Sequence, residues 1–207
     1  MGKIKLNLME KLTGLKKIKT AVFISGKGSN LKSLIKFSRL KKSPILINLI
    51  VSNKRLAKGL KYADRFKIKK KIFNFNDFKE SEKNISILLK KEKIKFICLA
   101  GFMKILSKEF IKKFNGQIIN IHPSLLPKYK GLNTHERVLK NKDKFSGCTV
   151  HFVTPKLDSG KIILQKKVKI TGRDNFTSLA KKVLKQEHKL YPKSILKIFK
   201  TNDFLNE

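Results

Sequence analysis

Apolar runs alternate with amphipathic stretches along most of this chain. Residues 19–25, Lys-Thr-Ala-Val-Phe-Ile-Ser, form an almost unbroken apolar run, which predicts a buried strand. Residues 29–40 follow with Leu31, Leu34 and Ile35 at helical spacing, which predicts a helix. The same reading predicts strands over 44–51, 70–74, 94–100 and 117–121, and helices over 56–66, 78–91 and 107–114. In the 78–91 helix, Ile85, Leu88 and Leu89 share one side. Strands that alternate with helices imply a doubly wound, mostly parallel, Rossmann-like α/β sheet covered on both faces.

The last third is patterned differently. Residues 148–154 and 161–170 are strand-like and are joined by the turn-rich Pro155-Lys-Leu-Asp-Ser-Gly160. So short a connection predicts an antiparallel C-terminal pair. A final helix is expected over 174–190, stopped near Pro192. With no internal repeat and no long linker, the organisation expected is one domain over 19–207, behind a basic, frayed or weakly helical extension over 1–18.

Composition changes this picture only at the edges. The 207 residues are 41% hydrophobic, enough for a core. Fifty basic residues against 14 acidic give a net charge of +36, so nucleic-acid binding has to be weighed. Only five of the cations are arginine, the residue best suited to bidentate phosphate and base contacts, and the lysines are spread along the whole chain. They accompany abundant Ile, Asn and Phe, residues of A- and T-rich codons, so the charge reads as composition and specific nucleic-acid binding is not expected. No apolar run approaches the roughly 18 residues of a membrane helix, and residues 1–19 lack the apolar centre of a secretory signal. A cytoplasmic protein is the expectation, either monomer or homodimer. Cys98 and Cys148 lie in apolar runs without C-x-x-C spacing and read as small core residues.

Three segments carry candidate chemistry. In Ile24-Ser-Gly-Lys-Gly-Ser-Asn-Leu31, two glycines permit a tight strand-to-helix turn, and Ser29 or Asn30 could cap the helix. The free N–H groups there suit an anion. Leu31 stands where a dinucleotide fingerprint needs its third glycine, and Val51-Ser-Asn53 lacks the acid that would bind a ribose, so a monophosphate fits better than NAD. In Ile118-Ile-Asn-Ile-His-Pro-Ser124, residues two apart share a face, so Asn120 and His122 point the same way at a strand's carboxyl end. Asp158 lies in the later turn, and its value depends on whether the fold brings it to His122.

At these residues the chain resembles the 10-formyltetrahydrofolate-dependent formyltransferases, and among them the phosphoribosylglycinamide formyltransferases (glycinamide ribonucleotide transformylases). The resemblance runs from about Ala21 to Pro192 through AVFISGKGSNLKSLI, VSNKRLAKGL, LAGFMKILS, IINIHPSLLPKYKGLNTH, GCTVHFVTPKLDSGKIILQ and QEHKLYP. HPSLLP is shared with methionyl-tRNA formyltransferases, whereas the GSN turn and KYKGLNTH are closer to the ribonucleotide enzymes. The resemblance implies a formyl transfer from 10-formyltetrahydrofolate to glycinamide ribonucleotide in purine biosynthesis, without a metal. It implies Asn120, His122 and Asp158 as the catalytic trio, with Asn120 also beside the folate. Gly28, Ser29 and Asn30 would form the substrate-phosphate loop, with Glu187 contacting the glycinamide substrate. Met103, Lys104, Ile105 and Leu106 would line the folate pocket. Asp158, ionised, is expected to raise the His122 pKa. The sequence departs from the family pattern at Lys27, at Asn133 in place of a common histidine, and at Phe78-Lys-Glu-Ser-Glu82, where Lys79 is the candidate replacement for a folate-contacting arginine. A chain ending soon after the catalytic half is expected to lack a separate tRNA-binding domain.

Overall fold

The computed structural model describes residues 17–200, so the expected extension falls almost wholly outside the described residues. Seven strands form one sheet in the order β3-β2-β1-β4-β5-β6-β7. They are β1 (Ile18–Ile24), β2 (Ile45–Ser52), β3 (Lys69–Ile72), β4 (Phe96–Leu99), β5 (Gln117–His122), β6 (Phe145–Phe152) and β7 (Ile162–Lys169). Pairings from β3 through β5 are parallel, and β5–β6 and β6–β7 are antiparallel. The antiparallel region therefore begins one strand earlier than the expected C-terminal pair.

The helices are α1 (Ser29–Ser38), α2 (Lys61–Phe66), α3 (Phe78–Lys91), α4 (Lys108–Lys113), α5 (Thr134–Lys140) and α6 (Phe176–Lys200). Period-two alternation in the central strands divides the core between the sheet's two faces. Val22 and Ile24 of β1 join Leu31, Leu34 and Ile35 of α1 and Leu179, Val183 and Tyr191 of α6. Ala21 and Phe23 join Ile85 and Leu89 of α3 and Phe110 of α4 on the opposite face. Each fully buried side chain of this kind contributes about 1.5–3 kcal/mol against exposure, which is why both faces must be covered. The Tyr191 hydroxyl donates to the Leu99 carbonyl at 2.9 Å and to that of Ile119 at 3.2 Å, tying α6 to β4 and β5.

Four details depart from the sequence reading. Residues 56–66 divide into a 3-10 turn, Lys58–Leu60, and the short α2. Helix α5 was not expected. The N-cap of α1 is Gly28, with no side-chain cap, so neither Ser29 nor Asn30 plays that part. Helix α6 runs through Pro192 to Lys200 instead of stopping there. Proline lacks the N–H that would reach back to the His188 carbonyl. The Ser33 hydroxyl of α1 donates to that carbonyl at 3.0 Å, so the lost helical bond is replaced from a neighbouring helix. Among the described residues no helix is long and apolar enough to cross a membrane.

Candidate active site

Sheet order reverses between β1 and β4, and the loops leaving the carboxyl ends of these strands diverge to opposite faces, which opens a crevice. One side chain ties the loops after β1, β2 and β4 together. The Ser25 hydroxyl donates to the Asn53 side-chain oxygen and accepts the Met103 N–H at 2.7 Å, while the Ser25 N–H donates to the Gly101 carbonyl at 3.0 Å. The glycine turn is held from below by the 3-10 turn. Gly59 N–H donates to the Gly26 carbonyl at 2.9 Å. Gly28 has φ +72°, and a Cβ there would lie 2.6 Å from the Gly59 Cα. Two glycines are thus required face to face, which leaves the N-terminus of α1 open above them.

The crevice widens into a cleft of about 640 Å³. Asn30, Asn120, His122, Asp158 and Glu187 all line it, as do Met103, Lys104, Ile105 and Leu106. Gly28 and Ser29 do not, lying just beyond its wall. Met103 and Ile105 are 60% and 63% exposed, so the loop after β4 offers apolar surface to the cleft, whereas Leu106 is buried. Among the described residues Lys104 is the only Lys or Arg in the lining. Lys79 is exposed on α3 and is not among the residues that line the cleft. Asn133 takes the N-cap of α5 with φ +56°, a left-handed conformation that asparagine tolerates better than most residues.

The structure brings Asn120, His122 and Asp158 together and adds a residue that the sequence reading missed. Antiparallel register sets His151 of β6 opposite Asn120. The Asn120 amide nitrogen stands 3.2 Å from His151 Nε2, and Asp158 Oδ1 lies 3.6 Å from the same nitrogen. His151 Nδ1 lies 2.8 Å from the Phe152 carbonyl, which can only accept, so Nδ1 carries the hydrogen and Nε2 accepts from Asn120. His122 is arranged the other way round. Its Nε2 donates to the Tyr129 carbonyl at 2.8 Å, and its Nδ1 faces Asp158 Oδ2 at 3.4 Å. Asp158 also accepts the Gly131 N–H at 2.8 Å and sits at φ +44°, a strained conformation for a non-glycine residue, costing on the order of 1–3 kcal/mol.

These contacts set the charges. Burial pushes the His122 pKa down, while the Tyr129 carbonyl and Asp158 push it up, and the net direction is down. Asp158 acts on the imidazole in the expected sense, but the expected net rise is corrected because desolvation of a nearly buried ring outweighs it. Burial also pushes Asp158 up, yet the Gly131 N–H and the nearby imidazoles together hold its carboxyl below the usual range. A neutral His122 turns the Nδ1 lone pair toward this carboxylate, and a proton on Nδ1 converts that contact into an ion pair. Glu187 of α6 is 7% exposed; burial holds its carboxyl above the usual range, against the Asn30 amide that donates to it at 2.6 Å. The Asn30 carbonyl oxygen is buried without a partner among the described residues. Among them, too, no group of three metal-ligating side chains is placed to hold an ion.

His151 left no motif of its own. The signal that finds it is strand register, since any residue directly across from Asn120 must reach the same rim. Tyr129 acts through its carbonyl and Gly59 through its missing side chain, and neither role leaves a residue-type signature.

Comparison with known proteins places the chain in a family. Residues 18–195 match the family described as formyl transferase. The chain is 43% identical over 183 residues to the human trifunctional purine biosynthetic protein adenosine-3, covering 87% of this chain but 18% of that protein. It is 41% identical to the phosphoribosylglycinamide formyltransferase of Haemophilus influenzae, covering 84% of each. The crystal structure of phosphoribosylglycinamide formyltransferase from Brucella melitensis superposes with a TM-score of 0.83 at 41% identity, covering 89% of this chain and 96% of that one.

Proposed function

The chain belongs to the formyl transferase family, and from that premise we propose that it moves a formyl group from 10-formyltetrahydrofolate to the amino group of glycinamide ribonucleotide in purine synthesis. The observation that carries this reading is the contact of His122 with Asp158, 36 positions apart in the chain, beside Asn120 in a single cleft.

The substrate amine attacks the formyl carbon, the carbonyl oxygen gains negative charge, and the bond from that carbon to N10 then breaks. Asn120 spends one amide hydrogen on His151 and keeps the other for the developing oxyanion. His122 shuttles the proton that leaves the amine and is returned to N10, a role typically contributing about 10²–10⁴-fold. Asp158 stabilises the imidazolium while it exists. Gly28, Ser29 and Asn30 present the uncapped N-terminus of α1 to the substrate phosphate. Glu187, turned toward the cleft by Asn30, contacts the glycinamide substrate. Met103, Ile105 and Leu106 pack the folate, and Lys104 offers a cation to its carboxylate end. The names of full-length relatives such as the Haemophilus enzyme support glycinamide ribonucleotide over a charged tRNA. The protein acts in the cytoplasm, as a monomer or homodimer.

The test is formyl transfer from 10-formyltetrahydrofolate to each acceptor, followed by absorbance of the released tetrahydrofolate. Turnover with glycinamide ribonucleotide and none with methionyl-tRNA is expected. Preference for the tRNA would overturn the assignment.

A further inference from the structure

A second cavity, of about 280 Å³, shares no lining residue with the cleft. Lys128, Lys144 and Lys167 line it, with Asp143 the only carboxylate. Three ammonium groups against one carboxylate leave an excess of two positive charges. Ser146 also lines it; this residue is 2% exposed, and its hydroxyl is buried without a partner among the described residues. A ligand oxygen that reached this hydroxyl would give it an acceptor. The rings of Tyr129 and Phe145 supply apolar wall, and the Lys167 ammonium stands 6.0 Å from the Phe145 centroid.

Tyr129 joins this cavity to the catalytic cluster. Its hydroxyl donates to Asp143 at 2.9 Å and accepts from Asn141 at 2.9 Å, while its carbonyl takes the His122 Nε2 hydrogen at 2.8 Å. It sits at φ +57°, so small changes in how its ring is held bear on a strained backbone.

We propose that this cavity binds a phosphomonoester and that its occupancy shifts the Tyr129 carbonyl, and with it the set of the His122 ring. A phosphomonoester carries about −1.5 to −2 charges near pH 7, which matches the local excess, and its oxygens accept from both ammonium and hydroxyl. The cavity volume lies near the lower end of small-molecule sites, roughly 300–1,000 Å³, so a phosphate with a single ring attached fits better than a larger ligand. Binding itself is independent of the formyl-transfer reading, but any effect on turnover rests on it.

The experiment titrates the full chain with ribose 5-phosphate as probe and follows backbone amide shifts together with the His122 ring nitrogens. Saturable shifts at Lys144, Phe145 and Ser146 are expected, accompanied by movement of the His122 ring signals. They should survive Asn30→Ala, which weakens the proposed phosphate turn, and fall roughly tenfold in affinity in the double variant Lys144→Gln, Lys167→Gln, about 0.7 kcal/mol for each lost charge. That double variant should retain basal formyl transfer. Shifts confined to residues 28–30, or affinity unchanged in the double variant, would remove the site. Binding that leaves the His122 ring signals unmoved would remove the coupling. Loss of formyl transfer by the unmodified protein, with the ribose 5-phosphate shifts intact, would count against the catalytic reading alone.

Discussion

The parallel and antiparallel halves of this sheet build their shares of the site from different materials. On the parallel side, β1, β2 and β4 end together, and what they offer is mostly main chain, the glycine turn and the open N-terminus of α1, with the apolar side chains of the loop after β4 beside it. On the antiparallel side, β5 and β6 run past each other, and what they offer is side chains paired across strands, Asn120 opposite His151 with His122 two residues on. Parallel strands place their loops at one edge and so suit recognition by backbone amides. An antiparallel neighbour carries a residue from within a strand to that same edge, which permits a tight cluster of ionisable groups. Under the proposed function, anchoring and proton handling fall to separate regions.

That division can be broken from either side. The largest effect is expected for His122→Ala, which should lower kcat by roughly 10²–10⁴-fold with substrate KM nearly unchanged, measured by steady-state formyl transfer. Survival of turnover would place proton transfer elsewhere. Asp158→Asn should lower kcat by roughly 10–10²-fold and shift the pH profile. The sign follows from the contact: ionised Asp158 favours imidazolium, so its loss lowers the His122 pKa further, and the limb reporting that ring moves to lower pH. An unmoved profile would show that Asp158 does not tune this ring. On the parallel side, Gly59→Ala introduces a Cβ 2.9 Å from the Gly28 Cα and 2.8 Å from Ile24 Cδ1. It should raise the ribonucleotide KM about tenfold while kcat is kept, equivalent to about 1.4 kcal/mol of lost binding. A selective fall in kcat would blur the division proposed here. The smallest effect tests α6, which spans both halves. Ser33→Ala should cost about 1 kcal/mol in denaturant unfolding by stranding the His188 carbonyl, and less in a Pro192→Ala background, where a restored amide can reach it.

These differences also explain what could be read without coordinates. Buried strands such as β1 announce themselves by unbroken apolar runs, and Asn120 and His122 follow from the two-residue period of one strand. Their meeting with Asp158 depended on a resemblance, because a turn residue 36 positions away carries no signal of direction. His151 required the β5–β6 register, which two strand patterns alone do not set. Pro192 was misread because its partner, Ser33, lies on another helix. The downward shift of the His122 pKa carries no sequence signal either, because the loss of water around the ring depends on packing.

The two outer strands of the sheet carry a different message. Lys69, Lys70 and Lys71 occupy β3, and Lys166, Lys167 and Lys169 occupy β7. Were two molecules to join rim to rim and extend the sheet, these ammonium groups would be crowded together along the seam. Lysine on open strands is a common safeguard against uncontrolled polymerisation. Lysines on these two edges thus disfavour extension of the sheet from copy to copy, a use for part of the chain's positive charge that requires no polyanionic partner.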